Sequence, residues 1–348
     1  MKKRKSLILL FVIAALAVLG FYPLDSYISR PGGAYELSPF VEVAGGDEDD
    51  EGTFSLLTIA LAKATPLTYA YAKVADNHKI YQANQVRRED EDEEEYNVRQ
   101  LKLMSDSQFN AITVAFDRAN KPFTVTNHGI FVFNVVDGSG ADGVLKAGDK
   151  ILEMDDLSEL SGEAIGEHLT DKQEGDVITL KIERDDKVLT KEVTIQMIPE
   201  RGTVGIGIEY AENKIVETTP PVKINSEEIG GPSAGLMFTL EILNQLLPED
   251  ITKGYKIAGT GEMLEDGTVG RIGGIDLKVV AADKEGNDIM FAPDDEIDPE
   301  VLKRNPNILS NYEEAVKTAE KIGTTMKIVP VKTIDDALDY LESLPPKK

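Results

Sequence analysis

The chain has 348 residues, 41% of them hydrophobic, with 37 Lys and Arg against 62 Asp and Glu for a formal net charge of −25. That length allows two domains with sizeable cores plus an anchoring segment, and the acidic balance argues against nucleic acid as a partner, because phosphate binding needs clustered Lys and Arg. The lack of cysteine excludes disulfides, thiolate nucleophiles and cysteine zinc sites. The three histidines, His78, His128 and His168, lie in no metal-ligand pattern, so no metal and no cofactor are expected.

At the start of the chain Lys2, Lys3, Arg4 and Lys5 precede an uncharged run from Leu7 to Leu24. As a helix that run reaches about 27 Å, near the lower limit for a hydrocarbon core of roughly 30 Å. The basic flank predicts a cytoplasmic end, with the rest of the chain outside a cell membrane crossed once. A cleaved signal peptide is the rival reading. Ala15-Leu16-Ala17 resembles its cleavage site, but it lies inside the apolar run and not after it, which favours a retained transmembrane helix over residues 1–24.

Residues 25–52, with Pro31-Gly32-Gly33 and the acidic run Asp47 to Glu51, read as a linker. That run and a second one, Glu89 to Glu95, have the composition of solvated loops and no calcium-loop spacing. Residues 53–62 are rich in apolar and β-branched side chains and predict a strand. Residues 68–74 fit a strand or a helix equally. Between Asp106 and Asn120 the apolar Phe109, Ile112, Val114, Ala115 and Phe116 approach helical spacing, with Ser105 or Asp106 as the cap.

Residues 121–200 form the next unit. A strand over 130–136, a turn at Asp137-Gly138-Ser139-Gly140, a helix over 161–170 and two strands over 176–184 and 188–196 follow in order. With Leu145-Lys146-Ala147-Gly148-Asp149-Lys150-Ile151-Leu152, this pattern resembles a PDZ domain, a partly open β-barrel. Gly129, Ile130, Phe131 and Val132 stand where the resemblance puts the loop that receives a peptide carboxylate. The expected mode is β-augmentation, in which a peptide adds a strand beside 130–136 and rests on the helix over 161–170. The alternative is a domain that only packs on its neighbour.

The chemistry lies in residues 201–348. Strands are expected over 203–209 and 222–225. A helix is expected from Pro232 through Leu236, Met237, Leu240, Leu243 and Leu247, since proline suits a first turn. Ser233, in Gly230-Gly231-Pro232-Ser233-Ala234-Gly235, would then sit where free backbone N–H groups and the positive dipole end can meet a developing oxyanion. Gly230 and Gly231 would let a substrate backbone approach. An ordinary glycine-rich turn opening a helix has the same sequence.

No histidine follows residue 168, so a nucleophilic Ser233 needs another base. A lysine serves only when neutral near pH 7, which requires burial among apolar groups. Lys278 has that setting, between Ile275, Leu277, Val279, Val280, Ala281 and Ala282. Lys284 is flanked by Asp283 and Glu285, which favour its charged form, and the Arg271 guanidinium stays protonated.

Ser233, Lys278 and the intervening Thr260-Gly261-Glu262 resemble the Ser–Lys proteolytic domain of Lon-type proteases over residues 201–345. The resemblance puts the nucleophile at Ser233, the catalytic lysine at Lys278 and a supporting threonine at Thr260, with Gly231 and Ala234 beside the oxyanion. With the PDZ-like unit and the anchor, the chain is similar to bacterial membrane-anchored PDZ–Lon-like proteases of the YlbL/SepM type. The implied fold class is α+β: a mixed-sheet Lon-type domain, a PDZ-like domain and one N-terminal transmembrane helix. Residues 53–120 would open the protease domain and the PDZ-like unit would be inserted into it. No Gly-x-x-x-x-Gly-Lys-Ser/Thr loop is present, so ATP-independent cleavage of exported peptides or flexible, unfolded segments is expected. Related Lon domains often form rings, which leaves an oligomer open. A non-catalytic membrane-tethered peptide-binding scaffold and a Ser–Lys amidase acting on small amides are the rival functions.

Overall fold

The computed structural model describes residues 2–46, 51–88, 91–198, 202–226 and 229–347. Asp47 to Asp50 and Glu89 to Asp90, parts of the two acidic runs, lie outside the described residues. The chain divides into two compact units. The first is discontinuous and comprises Met1–Glu42, Gly46–Asp90 and Ser233–Lys348; the second comprises Val43–Gly45 and Glu91–Pro232.

The first unit is built on a six-stranded mixed sheet in the order Lys327–Val331, Ile289–Pro293, Lys256–Gly259, Thr53–Lys63, Ser26–Glu36, Lys79–Gln82. The first four strands run parallel, and the last two pair antiparallel. Buried strands of this kind read as near-continuous apolar runs, and all five residues of Ile289–Pro293 are buried. Against the sheet lies a core that includes Leu57, Ala258, Ile275, Val279, Met290 and Ala292.

The segment expected as a linker is structural. Its strand Ser26–Glu36 pairs with Thr53–Lys63 from Tyr27↔Lys63 to Glu36↔Ser55, with a register shift between Pro31 and Ala34. Pro31-Gly32-Gly33 is therefore a bulge within a strand, not a spacer. A Cβ on Gly32 would come within 2.6 Å of the Thr58 carbonyl oxygen, so only glycine permits the approach. Of the ambiguous residues 68–74, the first five belong to a short helix, Pro66–Ala72, whose start is held by a reciprocal capping box between Thr65 and Thr68.

The N-terminal helix covers Lys2–Phe21. The transmembrane helix expected over Leu7 to Leu24 is not found: among the described residues, no helix is long and apolar enough to cross a membrane. The reason is local. Pro23 follows the helix closely and cannot continue it. The apolar part, Leu7 to Phe21, is roughly 22 Å long at about 1.5 Å per residue, short of the ~30 Å core.

The second unit is an antiparallel five-stranded sheet in the order Ile208–Thr218, Phe123–Val135, Lys150–Met154, Val177–Arg184, Lys187–Thr194. Its core gathers alternate residues of these strands, among them Ile130, Val132, Ile151, Ile178, Leu180 and Ile182. The helix Gly162–Thr170 begins at Ser161, whose side chain accepts from the Ala164 N–H. A long helix, Glu93–Arg118, also falls in this unit, as does the strand Ile208–Thr218. Both were expected to belong to the protease domain. The helix begins thirteen residues before Asp106 because Asp92 and Glu95 form a capping box that the acidic run concealed.

Candidate active site

Ser233, Thr260 and Lys278 all lie in the first unit and converge there. Ser233 is not in the first helical turn as expected. The helix runs Gly235–Leu246, with Ala234 as its N-cap, and Ser233 occupies the turn before it. The physical cause is competition for the Ser233 carbonyl. It accepts from the Gly261 N–H at 2.9 Å and from Thr260 Oγ1 at 2.9 Å, so it is tied outside the helical ladder. The Leu236 N–H donates in turn to the Gly261 carbonyl at 3.1 Å, which binds the turn holding Ser233 to the end of the strand Lys256–Gly259.

Lys278 projects from the helix Ile275–Lys284, which starts at Gly274 in a left-handed conformation, φ 69°. A Cβ there would press to 3.2 Å from Ile59 Cγ2. Ile275, Leu277, Val279, Ala281 and Ala282 are buried on the same helix, and Lys278 itself is 2% exposed. Burial pulls its pKa from 10.5 down to about 7, because a charged ammonium loses its hydration in an apolar setting. Its Nζ lies 2.7 Å from Ser233 Oγ and 2.8 Å from Thr260 Oγ1.

Thr260 is fully buried and has a defined role in this triangle. Its one hydroxyl proton is directed to the Ser233 carbonyl, so its lone pairs face Lys278 and accept from Nζ. A neutral amine that donates to Thr260 can aim its own lone pair at the Ser233 hydroxyl. The arrangement can therefore deprotonate a serine at neutral pH.

The glycines before Ser233 have a different role from the one expected. The Gly231 N–H donates to the Gln100 carbonyl at 2.9 Å, so it is committed and does not serve an oxyanion. Gly231 adopts φ +87°, and a Cβ on Gly230 would come within 2.9 Å of Gln100 Cβ. Glycine is needed here for the approach to the long helix, not for a substrate backbone. Ala234 is buried, and neither its N–H nor that of Ser233 donates to another described residue.

The expected peptide groove beside 130–136 is already filled. Ile130 pairs with Ile151 on one side and with Glu212 on the other; Phe131 pairs with Lys150 and with Ala211. Ile130 and Val132 are fully buried, and Gly129 approaches the Ile151 carbonyl oxygen so closely that a Cβ would overlap it. No edge remains there for an added strand. Gly129, Ile130, Phe131 and Val132 are thus elements of the sheet with no free strand edge, and of the four only Ile130 also lines a pocket, from its floor.

The second unit does contain a pocket of about 170 Å³, distinct from the serine and lysine. It is lined by Ile165, Gly166 and Leu169 of the helix Gly162–Thr170 and by the run Thr203 to Ile208 together with Tyr210. The strand Ile208–Thr218 is the outermost of its sheet, so its far edge is unpaired within that sheet. The turn leading into it carries Gly205-Ile206-Gly207-Ile208, with Gly207 at φ +81°. The N–H groups of Ile206 and Gly207 donate to no described residue. The available signal was the Gly-Ile-Gly-Ile alternation, which reads as a plain strand when its neighbours are unknown.

Residues 227–341 match the family model of the Lon protease (S16) C-terminal proteolytic domain, and residues 111–195 match that of the PDZ domain. The chain is 27% identical over 132 residues to a Lon protease of Aster yellows witches'-broom phytoplasma (strain AYWB), covering 38% of this chain and 14% of that protein. It is 30% identical over 119 residues to a Lon protease of Endomicrobium trichonymphae, covering 34% and 13%. The matches thus span about one seventh of the length of these relatives. Among solved structures, the PDZ domain of the SdrC-like protein from Listeria monocytogenes is 32% identical over 25% of this chain and 93% of its own, with a TM-score of 0.24. Within a mixed α+β fold, the chain thus carries one segment that matches the PDZ domain model and one that matches the Lon C-terminal proteolytic domain model.

Proposed function

We propose that this chain is an ATP-independent serine endopeptidase that uses a Ser233–Lys278 dyad on peptides or flexible protein segments. The observation that carries the reading is a buried lysine with a pKa near 7, its Nζ 2.7 Å from the hydroxyl of Ser233. Neutral Lys278 takes the Ser233 proton as Oγ attacks the scissile carbonyl. The N–H groups of Ser233 and Ala234 receive the oxyanion. The Lys278 ammonium then protonates the leaving amine, and water hydrolyses the acyl-enzyme. Thr260 orients the lysine throughout.

Substrate presentation falls to the pocket between the helix Gly162–Thr170 and the turn Gly205 to Ile208. An extended peptide would add to the open edge of Ile208–Thr218, its terminal carboxylate at the N–H groups of Ile206 and Gly207. Attachment to a membrane surface is supported by the helix Lys2–Phe21. Leu7, Ile8, Leu10, Phe11, Ile13 and Leu16 are exposed around its whole circumference, and apolar side chains on every side call for burial.

A fluorophosphonate probe and a quenched peptide substrate test the reading together. Labelling of the intact protein, lost in Ser233→Ala along with peptide cleavage, is the expected result. An unlabelled wild-type protein that still captures peptides would favour the binding scaffold. Cleavage retained by Ser233→Ala would end the dyad assignment. Sedimentation of the whole chain with cell membranes checks the attachment.

A further inference from the structure

We propose that Asn311 is a positioning residue for the reaction, setting the register of the helix that carries Lys278; the inference rests on Lys278 as the base. The helix Ile275–Lys284 has no side-chain cap at its start, and Gly273 and Gly274 ahead of it offer no side chain to hold. The nearest fixed point is Ile272. Its N–H donates to Asn311 Oδ1 at 2.7 Å, and its carbonyl accepts from Asn311 Nδ2 at 3.1 Å. One side-chain amide thus satisfies both backbone groups of one residue, and only one orientation of that amide permits it. Asn311 is 1% exposed. All of these residues, with Ser233 and Thr260, lie in the first unit.

The surface between the two helices shows why such a pin is needed. Asn311, Ala315 and Ala319 are the buried residues of the helix Asn311–Ile322, and their spacing puts them on one face. Ala315 and Ala319 share a core with Ile275, Val279 and Ala282 of the lysine helix. Apolar contact is non-directional, and alanines raise no ridge to interlock with a neighbour. Such a face sets the distance between the helices and opposes sliding and rotation only weakly. A pair of directional hydrogen bonds at one end of the stripe removes that freedom, as a single buried polar residue fixes register in a coiled coil. Asn311 is itself anchored. Its N–H donates to Asp295 Oδ1 at 2.6 Å, and Asp295 Oδ2 accepts from Arg271 Nη1 at 2.5 Å. The residue before Ile272 is therefore tied to the same point. Register matters because Lys278 Nζ must reach two hydroxyls at once, and a slide of about 1 Å takes both beyond hydrogen-bond distance.

The test uses the full chain with Asn311→Ala, and with Ser310→Ala as control. Ser310 caps the same helix by accepting from the Glu313 N–H, so its loss weakens that helix without touching Ile272. Active sites are counted by fluorophosphonate titration run to completion, and kcat is expressed per titrated site. A misplacement of about 1 Å can cost about 10²-fold, so kcat per site should fall by about 10- to 100-fold in Asn311→Ala. KM should stay within about twofold, and the rate of fluorophosphonate labelling should fall by the same factor as kcat. Ser310→Ala should melt at a lower temperature with kcat per site unchanged. A purely structural role for Asn311 would reduce the number of titrated sites and leave the rate per site at the wild-type value. That result, or an equal fall in Ser310→Ala, would overturn the proposal. If Asn311→Ala does not fold, Asp295→Asn replaces it: the shape is kept, the anchor of Asn311 is weakened, and a fall on the order of threefold per site is expected. Lys278→Arg run in parallel separates the two ideas. Its loss of activity beside an unchanged rate in Asn311→Ala removes only the positioning role, and its retained activity removes the base itself.

Discussion

The serine–lysine site and the pocket of the second unit differ in what holds them together. The dyad depends on two side chains whose chemistry is unusual in itself: a serine in a proline-glycine turn and a lysine embedded in apolar sequence. The pocket depends on which strand lies beside which. Ile208–Thr218 pairs with Phe123–Val135 over ten positions, although more than seventy residues separate them in the chain. Chemistry carried by residue identity can be located from sequence, whereas a groove made by long-range pairing is located only when the pairing is known.

The sharpest way to break this comparison is at Lys278. Lys278→Arg keeps the positive charge but supplies no base, so kcat should fall by at least ~10³-fold in a steady-state peptidase assay. Residual activity above a tenth of wild type would show that the lysine works by charge and not by proton transfer. Thr260→Val removes both the acceptor for Nζ and the donor to the Ser233 carbonyl, and a loss of about 10- to 100-fold is expected.

The pH dependence is a smaller effect with a definite sign. The base must be neutral, so kcat/KM should rise through a midpoint near 7, by about 10-fold between pH 6 and pH 8. The same burial destabilises the fold. Lys278 has a depressed pKa in the folded state, so between about 7 and 10.5 the unfolded chain binds the extra proton and stability rises with pH across that window. At pH 7 the penalty is on the order of 4 kcal/mol. Lys278→Met should therefore unfold at a higher urea concentration than wild type while being inactive, and equal midpoints would contradict the depressed pKa.

The pocket supplies the mildest expected change. Leu169→Asp, in a half-buried position on the pocket wall, should weaken binding of a C-terminal peptide about 10-fold by calorimetry and leave thermal stability nearly intact. Ile130→Asp, by contrast, should unfold the second unit, because it places a carboxylate in a fully closed core. If Ile130→Asp stays folded and loses only peptide affinity, the groove lies where the sequence first suggested.

Much of the second unit was legible in the sequence. The helix expected over 161–170 forms as Gly162–Thr170, and the last hairpin forms as Val177–Arg184 and Lys187–Thr194 around the expected turn, because local periodicity and turn residues suffice there. Three of the errors, all at glycines, share one physical cause. Pro31-Gly32-Gly33 has the composition of a linker, yet close approach to Thr58 makes it a bulge. Gly230 and Gly231 looked ready for a substrate, yet their space is taken by Gln100. Gly129 looked like a loop for a carboxylate, yet it packs on Ile151. Only Gly230 and Gly231 were read as points of close approach, and in all three places the approaching partner came from a distant part of the chain. The family match for the PDZ domain ends at residue 195, short of the Gly205 to Ile208 turn that completes the pocket.

The discontinuity of the first unit has a bearing on how the protein is made. Thr53 lies in parallel register with Lys256, and the intervening residues 91–232 form a separate unit. During synthesis the early strands therefore wait for their neighbour, on the order of ten seconds at ribosomal speed, while the second unit can close around contacts of its own. Long-range pairing of this kind is slow to form. Ser233, Thr260 and Lys278 are all translated after that unit, and they meet only once the late strands join the early ones. In a nascent or C-terminally shortened chain the three side chains are therefore not yet assembled, so the order of translation itself delays the serine–threonine–lysine triangle until the late strands have emerged.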